Sequence, residues 1–331
     1  MGYRPAAPGN DALVRWPADF GTRFIVFVDT EEEFNWRAPL SRDARATTAV
    51  AAIPAAHARF TASGVPLAFM IDHPIVSDPA AVDILRRAIA DGQSSIGTQL
   101  HPWVNPPADE VVTPFHSFPG NLPPALEAAK LDVLTAAITA AFGKAPLAYR
   151  AGRYGIGPHT IELLAARGYR LDSSMRARYD YTQEGGPDFS AIGNHAFRLG
   201  ALIELPLTTV YTGRLRGQGA SLYPALGRIP RARGVMARSG LLARVALTPE
   251  QMPLRDALEA VRIAMGEGVA VLNFSFHSPS LVPGHTPYVR DRADLAAFDR
   301  WWDSVLALLD QRGAKPIGLD ALITAAIAAG S

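Results

Sequence analysis

Residues 24–31 read FIVFVDTE. Five β-branched or aromatic residues run without a break and end on acids. A short apolar run of this kind predicts a buried strand, with Asp29, Thr30 and Glu31 at its carboxyl end. The pattern recurs as VAVLNFSF at 269–276, the strongest buried-strand signal in the chain, which runs into His277. Between them lie shorter strand signals at 66–71, 94–100, 147–150 and 169–174. These alternate with helical stretches at 80–91, 123–142 and from Pro158 to Gly168, each closed by a glycine. Thr248-Pro249-Glu250-Gln251 has the residue types of a helix start, with Thr as N-cap, Pro at the first helical position and Gln at the third. The helix expected there carries Leu254, Ala257, Leu258, Val261 and Met265 on one face. A helix around 292–312 and a short strand at 315–318 complete the series. Such alternation predicts an α/β fold of about seven or eight strands in a parallel, closed sheet. No repeat or linker divides residues 1–331, so one domain is expected.

The composition agrees. The chain has 331 residues, of which 48% are hydrophobic and 19% charged, enough for a large core and too apolar for a disordered or fibrous chain. Lys and Arg number 32 against 31 Asp and Glu, a net charge of +1 that excludes a global basic field for nucleic acid. Cysteine is absent, which excludes disulfides and thiolate chemistry and leaves His, Asp and Glu as metal ligands. The first twenty residues lack the apolar segment of a signal peptide, and no run approaches the ~18 apolar residues of a membrane span. A cytoplasmic protein is therefore expected. Residues 205–249 differ from the rest: they hold seven Arg (214, 216, 228, 231, 233, 238 and 244) and no acid. They read as a basic insertion, helical near 230–245, at the pocket mouth. A phospholipid surface or a lipid-diphosphate-linked sugar would match that charge.

In parallel α/β folds reactive groups gather at the carboxyl ends of strands. Asp29 and Glu31 stand two apart and face the same way, and two acids that close repel unless a cation or proton separates them. Gln99 and His101 share a face by the same spacing, followed by Pro102 and Trp103. Arg150 ends another strand, where a guanidinium can hold a carboxylate; Arg153 reads as a rim residue. Asp172-Ser173-Ser174 ends the next strand. His277, at the end of the most apolar strand, is the foremost catalytic candidate, because imidazole can act as acid or base near neutral pH.

These five stations, in this order, resemble the motifs of the NodB-homology polysaccharide deacetylases (carbohydrate esterase family four). Asp29-Thr30-Glu31, Gly97 to Trp103, Arg150 to Gly155, Leu171 to Ser174 and Phe276-His277-Ser278 carry the resemblance over roughly 24–320. DTEEEF, SFPGNLPP, YRAGRYG and FHSPSLVPGHTPY look closest to an exopolysaccharide-associated branch. The resemblance implies a distorted (β/α) barrel of about seven strands and metal-dependent removal of N-acetyl groups from an amino-sugar saccharide. It implies Asp29 as general base, Arg150 as its partner and His277 as the acid that protonates the leaving amine. Zinc or another divalent metal would be held by Glu31 and His101, with Gln99 beside them. Trp36, Trp103 and Tyr154 would offer faces for a sugar ring. One departure stands out. The family's second motif usually has two His four apart, and those places hold Gln99 and Trp103. His101 fits an H-x-H-P-W variant whose first His is replaced, and Gln is the poorer zinc ligand. His73 and His116 are candidates to compensate. The alternatives are a catalytically impaired relative that binds glycan or a partner enzyme, and a hydrolase of other amides.

Overall fold

The computed structural model describes residues 2–329. Its strands are β1 (Arg23–Thr30), β2 (Leu67–Ile71), β3 (Ser95–Leu100), β4 (Ala148–Ala151), β5 (Leu171–Asp172), β6 (Phe197–Leu199), β7 (Leu202–Glu204), β8 (Thr209–Thr212), β9 (Ala243–Ala246), β10 (Val271–His277) and β11 (Lys315–Pro316). The main sheet runs in the order β10-β1-β2-β3-β4-β5-β7-β6, with β11 also pairing β1. Only β6 runs antiparallel to its neighbour. The sheet is the curled sheet of a distorted (β/α) barrel. Its ladder does not run from β6 back to β10. Instead Thr208 donates its N–H to Asn273 O (3.3 Å), and Ser275 donates to Leu247 O (3.2 Å), so backbone beside the β8–β9 hairpin meets the free edge of β10.

Strand period decides which residues reach the site. Phe24, Val26 and Val28 of β1 pack outward with Phe60, Leu131, Leu134, Val261 and Trp302 of the surrounding helices. Ile25 and Phe27 pack inward with Ala68, Met70, Ala148, Leu171 and Val271. Asp29 and Glu31 continue the inward row, so both carboxylates stand on top of the apolar interior. Gln99, Arg150 and His277 continue the inward rows of β3, β4 and β10 in the same way. The parallel register of β1 and β10 sets Asp29 opposite His277. Gly97 lets the strands approach: a Cβ there would lie 2.5 Å from Met70 Sδ and 3.1 Å from Ala148 O.

Three expectations are corrected. Residues 205–249 are not one insertion. Strands β8 and β9 pair antiparallel, and Val210, Val245 and Leu247 belong to the main core. Only the segment between them projects, with helices Gly219–Leu226 and Ala232–Arg238. The helix expected from Thr248 begins at Leu254, with Pro253 at its N-cap. Thr248 Oγ1 accepts from the N–H of Glu250 (3.2 Å), which turns the loop inward rather than opening a helix. The strand expected over 169–174 is confined to β5, because Ser173 and Ser174 spend their hydroxyls on Leu205 O and Asp172. Among the described residues no helix is long and apolar enough to cross a membrane.

Candidate active site

The strand ends open into a cleft of about 540 Å³ lined by Asp29, Glu31, Trp36, Gln99, His101, Trp103, Arg150, Tyr154, Glu250 and His277, among others. It contains two tightly held pairs. Asp29 is 2% exposed and Arg150 1%. Arg150 Nη1 donates to Asp29 Oδ1 at 2.7 Å, while its Nε and Nη2 donate to Ser173 O and Ser173 Oγ, both at 3.0 Å. The guanidinium also lies 4.5 Å from the centre of the Phe27 ring. Ser173 thus positions Arg150. Asp172 lies away from the cleft, buried beside Glu204, and burial raises the pKa of both acids.

The second pair is His277 with Glu250. Nδ1 of His277 donates to Glu250 Oε2 at 2.6 Å, and the His277 N–H donates to Oε1 at 3.1 Å. Ser280 Oγ donates to the same Oε1 at 2.6 Å. Burial works against the imidazolium, but Glu250, Glu31 and Asp29 outweigh it and push the His277 pKa up to about 10. Its Nε2 lies 3.9 Å from Asp29 Oδ2, so the two side chains face each other across the cleft.

A third group surrounds Glu31. Gln99 Nε2 donates to Glu31 Oε2 at 3.2 Å, and His101 Nε2 lies 3.6 Å from the same oxygen. Burial, reinforced by Glu32 and Asp29 and partly offset by His277 and His101, raises the Glu31 pKa to about 8. Glu31 Oε1 and Gln99 Oε1 are buried without a hydrogen-bond partner. A carboxylate oxygen, an amide oxygen and an imidazole nitrogen therefore suit a divalent cation, although one donor is weak.

Behind His101 lies a further cluster, Glu32, Asp72 and His101, whose potential ligand atoms fall within 4.8 Å of one another. Its oxygens are already engaged. Glu32 Oε2 accepts from His101 Nδ1 (2.8 Å) and Oε1 from Trp103 Nε1 (2.8 Å); Asp72 accepts from the N–H groups of Glu32 and Ile75. This cluster orients His101 so that Nε2 faces Glu31. Gly152 leaves room for the ring, since a Cβ there would lie 2.5 Å from His101 Cδ2.

The aromatic candidates separate. The Trp36 ring stands edge-on to His277 at 5.3 Å and to Tyr288 at 5.4 Å, on the cleft wall. Tyr154 lines the cleft with φ 60°, following Arg153 at φ 54°, an uncommon left-handed pair at the strand end. Arg153 is held at the rim by Ser117 and Glu184. Trp103 is 2% exposed, stacked on His101 at 4.3 Å and bonded to Glu32, so it supports the histidine instead of offering a sugar face. His73 bonds Ser77 and His116 bonds Val111 O; neither lines the cleft, and neither replaces the imidazole missing at Gln99. Glu250, Glu32 and Asp72 were missed in the sequence. Asp72 directly follows β2, the one local signal that pointed to it.

A curled, mostly parallel β/α sheet of this kind is a distorted (β/α) barrel, and solved structures share that fold. A candidate polysaccharide deacetylase from Mycobacterium smegmatis superposes with a TM-score of 0.58 at 17% identity, covering 98% of this chain and 96% of that one. A probable polysaccharide deacetylase from Pseudomonas aeruginosa PAO1 gives 0.52 at 13%, covering 96% and 94%. The PuuE allantoinase gives 0.50 at 14%, covering 96% and 93%. At the level of sequence, no family model and no curated protein matches the chain. The chain has the NodB-like fold of the polysaccharide deacetylases.

Proposed function

We propose that the protein is a metal-dependent hydrolase that removes N-acetyl groups from an amino-sugar saccharide. The facing pairs Asp29–Arg150 and His277–Glu250 carry this reading, since amide hydrolysis needs a base for water and an acid for the leaving amine. Arg150 fixes the Asp29 carboxylate toward the cleft. Glu250 keeps a proton on His277, whose Nε2 delivers it to the departing nitrogen. Trp36 and Tyr154 bound the space for the sugar. Glu31, His101 and Gln99 would hold the ion, and a divalent ion such as zinc, when bound, supplies Lewis acidity at the acyl group.

One observation favours a second reading, a catalytically impaired deacetylase-like protein that binds glycan. The Gln99 amide donates to Glu31 Oε2, so it occupies one of the two carboxylate oxygens that an ion would need. Gln99→His is expected to raise zinc affinity by at least the roughly 10–100-fold that even outer-shell partners of a metal contribute. Acetate release from N-acetylglucosamine oligomers should rise with it. Zinc per chain after identical chelation and reloading, with acetate release, decides the matter. Near-stoichiometric zinc in the wild type, unchanged by the substitution, would show that other residues hold it. No zinc and no acetate in either protein would overturn the hydrolase reading and support the binding one.

The segment between β8 and β9 adds a peripheral membrane contact to this proposal. Among the described residues none of the seven Arg of 205–249 makes an ion pair. Ile229 and Val235 beside them are 59% and 58% exposed. The protein should co-sediment with phosphatidylglycerol vesicles at low salt and be released at high salt. Equal, negligible binding to anionic and neutral vesicles would end the idea.

A further inference from the structure

The cleft holds one guanidinium that the proposed chemistry leaves idle. Arg176 lines the cleft with Asp29 and His277. Arg150 is neutralised by Asp29 and Arg153 by Glu184, but among the described residues Arg176 has no carboxylate within ion-pair distance. Its guanidinium lies 3.9 Å from the ring centre of Tyr179 and 5.6 Å from that of Tyr154. Its Nε and the hydroxyl of Tyr181, another cleft residue, are buried without a hydrogen-bond partner. A second cation stands behind it: Arg244 lies 3.5 Å from the same Tyr179 ring and spends one of its N–H groups on Arg178 O. Tyrosine faces attract both cations but do not neutralise them. Beside Arg176 stand the tyrosines and Arg244, and among the described residues no carboxylate pairs with it, so its Nε is left to a ligand. Arg176 is half-buried with its Nε shielded from solvent, and a carboxylate or phosphate in the cleft would supply the missing counter-charge through charge-assisted, forked hydrogen bonds.

We propose that Arg176, with the Tyr181 hydroxyl, binds an anionic group of the substrate, so that the preferred saccharide carries a carboxylate or a phosphate next to the acetylated sugar. The saccharide part of this inference rests on the deacetylase reading. The anion subsite rests on Arg176 itself.

Calorimetric titration of the full chain tests it with matched probes. For the carboxylate, a hyaluronan tetrasaccharide is compared with neutral chitotetraose. For the phosphate, N-acetylglucosamine 1-phosphate is compared with N-acetylglucosamine. One anionic probe is expected to bind roughly 10–100-fold more tightly than its neutral counterpart, and the arm that responds identifies the source of the anion. In Arg176→Gln the paired affinities should converge, whereas Arg176→Lys should keep part of the difference. No preference in the wild type, no binding of either anionic probe, or a preference that survives Arg176→Gln would overturn the proposal. Should Arg176→Gln fail to fold, Tyr181→Phe removes only the hydroxyl, and a preference it leaves undiminished overturns the proposal equally. Acetate release is read separately. Anion preference without acetate keeps the subsite and removes the deacetylase; acetate without preference does the reverse.

Discussion

His277→Ala is expected to lower the rate of acetate release by roughly 10²–10⁴-fold, the usual worth of a positioned acid. The proton is held by surroundings as well as by the imidazole. Glu250 bonds both Nδ1 and the backbone N–H of His277 and is itself held by Ser280, and these carboxylate contacts help carry the His277 pKa to about 10. The alkaline limb of the pH–rate profile should therefore fall near that value, and Glu250→Gln should draw it down toward the ordinary imidazole range. Stability has the matching sign. The folded pKa exceeds the ordinary 6.5, so the pair stabilises the fold fully below about pH 6.5 and loses that contribution as pH rises through about 10. The stability difference between wild type and Glu250→Gln should thus shrink at alkaline pH. Acetate release and denaturant unfolding across pH 5–11 measure both. Full activity in His277→Ala would remove it from the mechanism, and an unmoved limb in Glu250→Gln would refute the role given to Glu250.

Arg150→Met is expected to destabilise the protein by about 3–5 kcal/mol, because it strands a buried carboxylate. Asp29 is 2% exposed, and its Oδ1 loses a 2.7 Å charged hydrogen bond. Ser173 O loses its guanidinium donor as well. Adding Asp29→Asn should recover a good part of the loss, since the neutral amide no longer needs a counter-ion. Urea unfolding of wild type, both single variants and the double variant closes the cycle. Additive losses would mean that the two side chains do not act as a pair. Activity should stay absent in all three variants, which separates restored folding from restored chemistry.

Local pattern carried the fold where strands are long and buried on both faces. β1 and β10 are near-continuous apolar runs, as parallel strands covered by helices must be, and both lie within two residues of the stretches read from sequence. The helices expected at 123–142, closed by a glycine, and around 292–312 lie at Pro124–Phe142 and Arg292–Gln311. β6 to β9, of three or four residues each, were not read, whereas β4, equally short, was bracketed by the helical stretches at 123–142 and 158–168.

The same division runs through the site. Period two in an extended chain put Asp29 with Glu31 and Gln99 with His101, since alternate side chains share a face whatever lies around them. That rule needs no tertiary information. It also turned Glu32 away from the cleft, but not toward a known destination; Asp72, His101 and Trp103 supply that, and they come from two other strand ends. Glu250 shows the limit most clearly. Thr248-Pro249-Glu250-Gln251 reads as a helix start because Thr, Pro and Gln satisfy the free N–H groups of a first turn. In the folded chain His277 and Ser280 offer the Glu250 carboxylate three donors, and the loop bends inward to meet them. Residues 250 and 277 are separated by a helix and a strand, so no local preference encodes their meeting. By itself the sequence determined which residues stand at strand ends and which way they face. The pairing of charges across the cleft, the capture of Glu250 and the isolation of Arg176 were decided by the tertiary structure, because burial and counter-charge exist only once distant strand ends share one low-dielectric space.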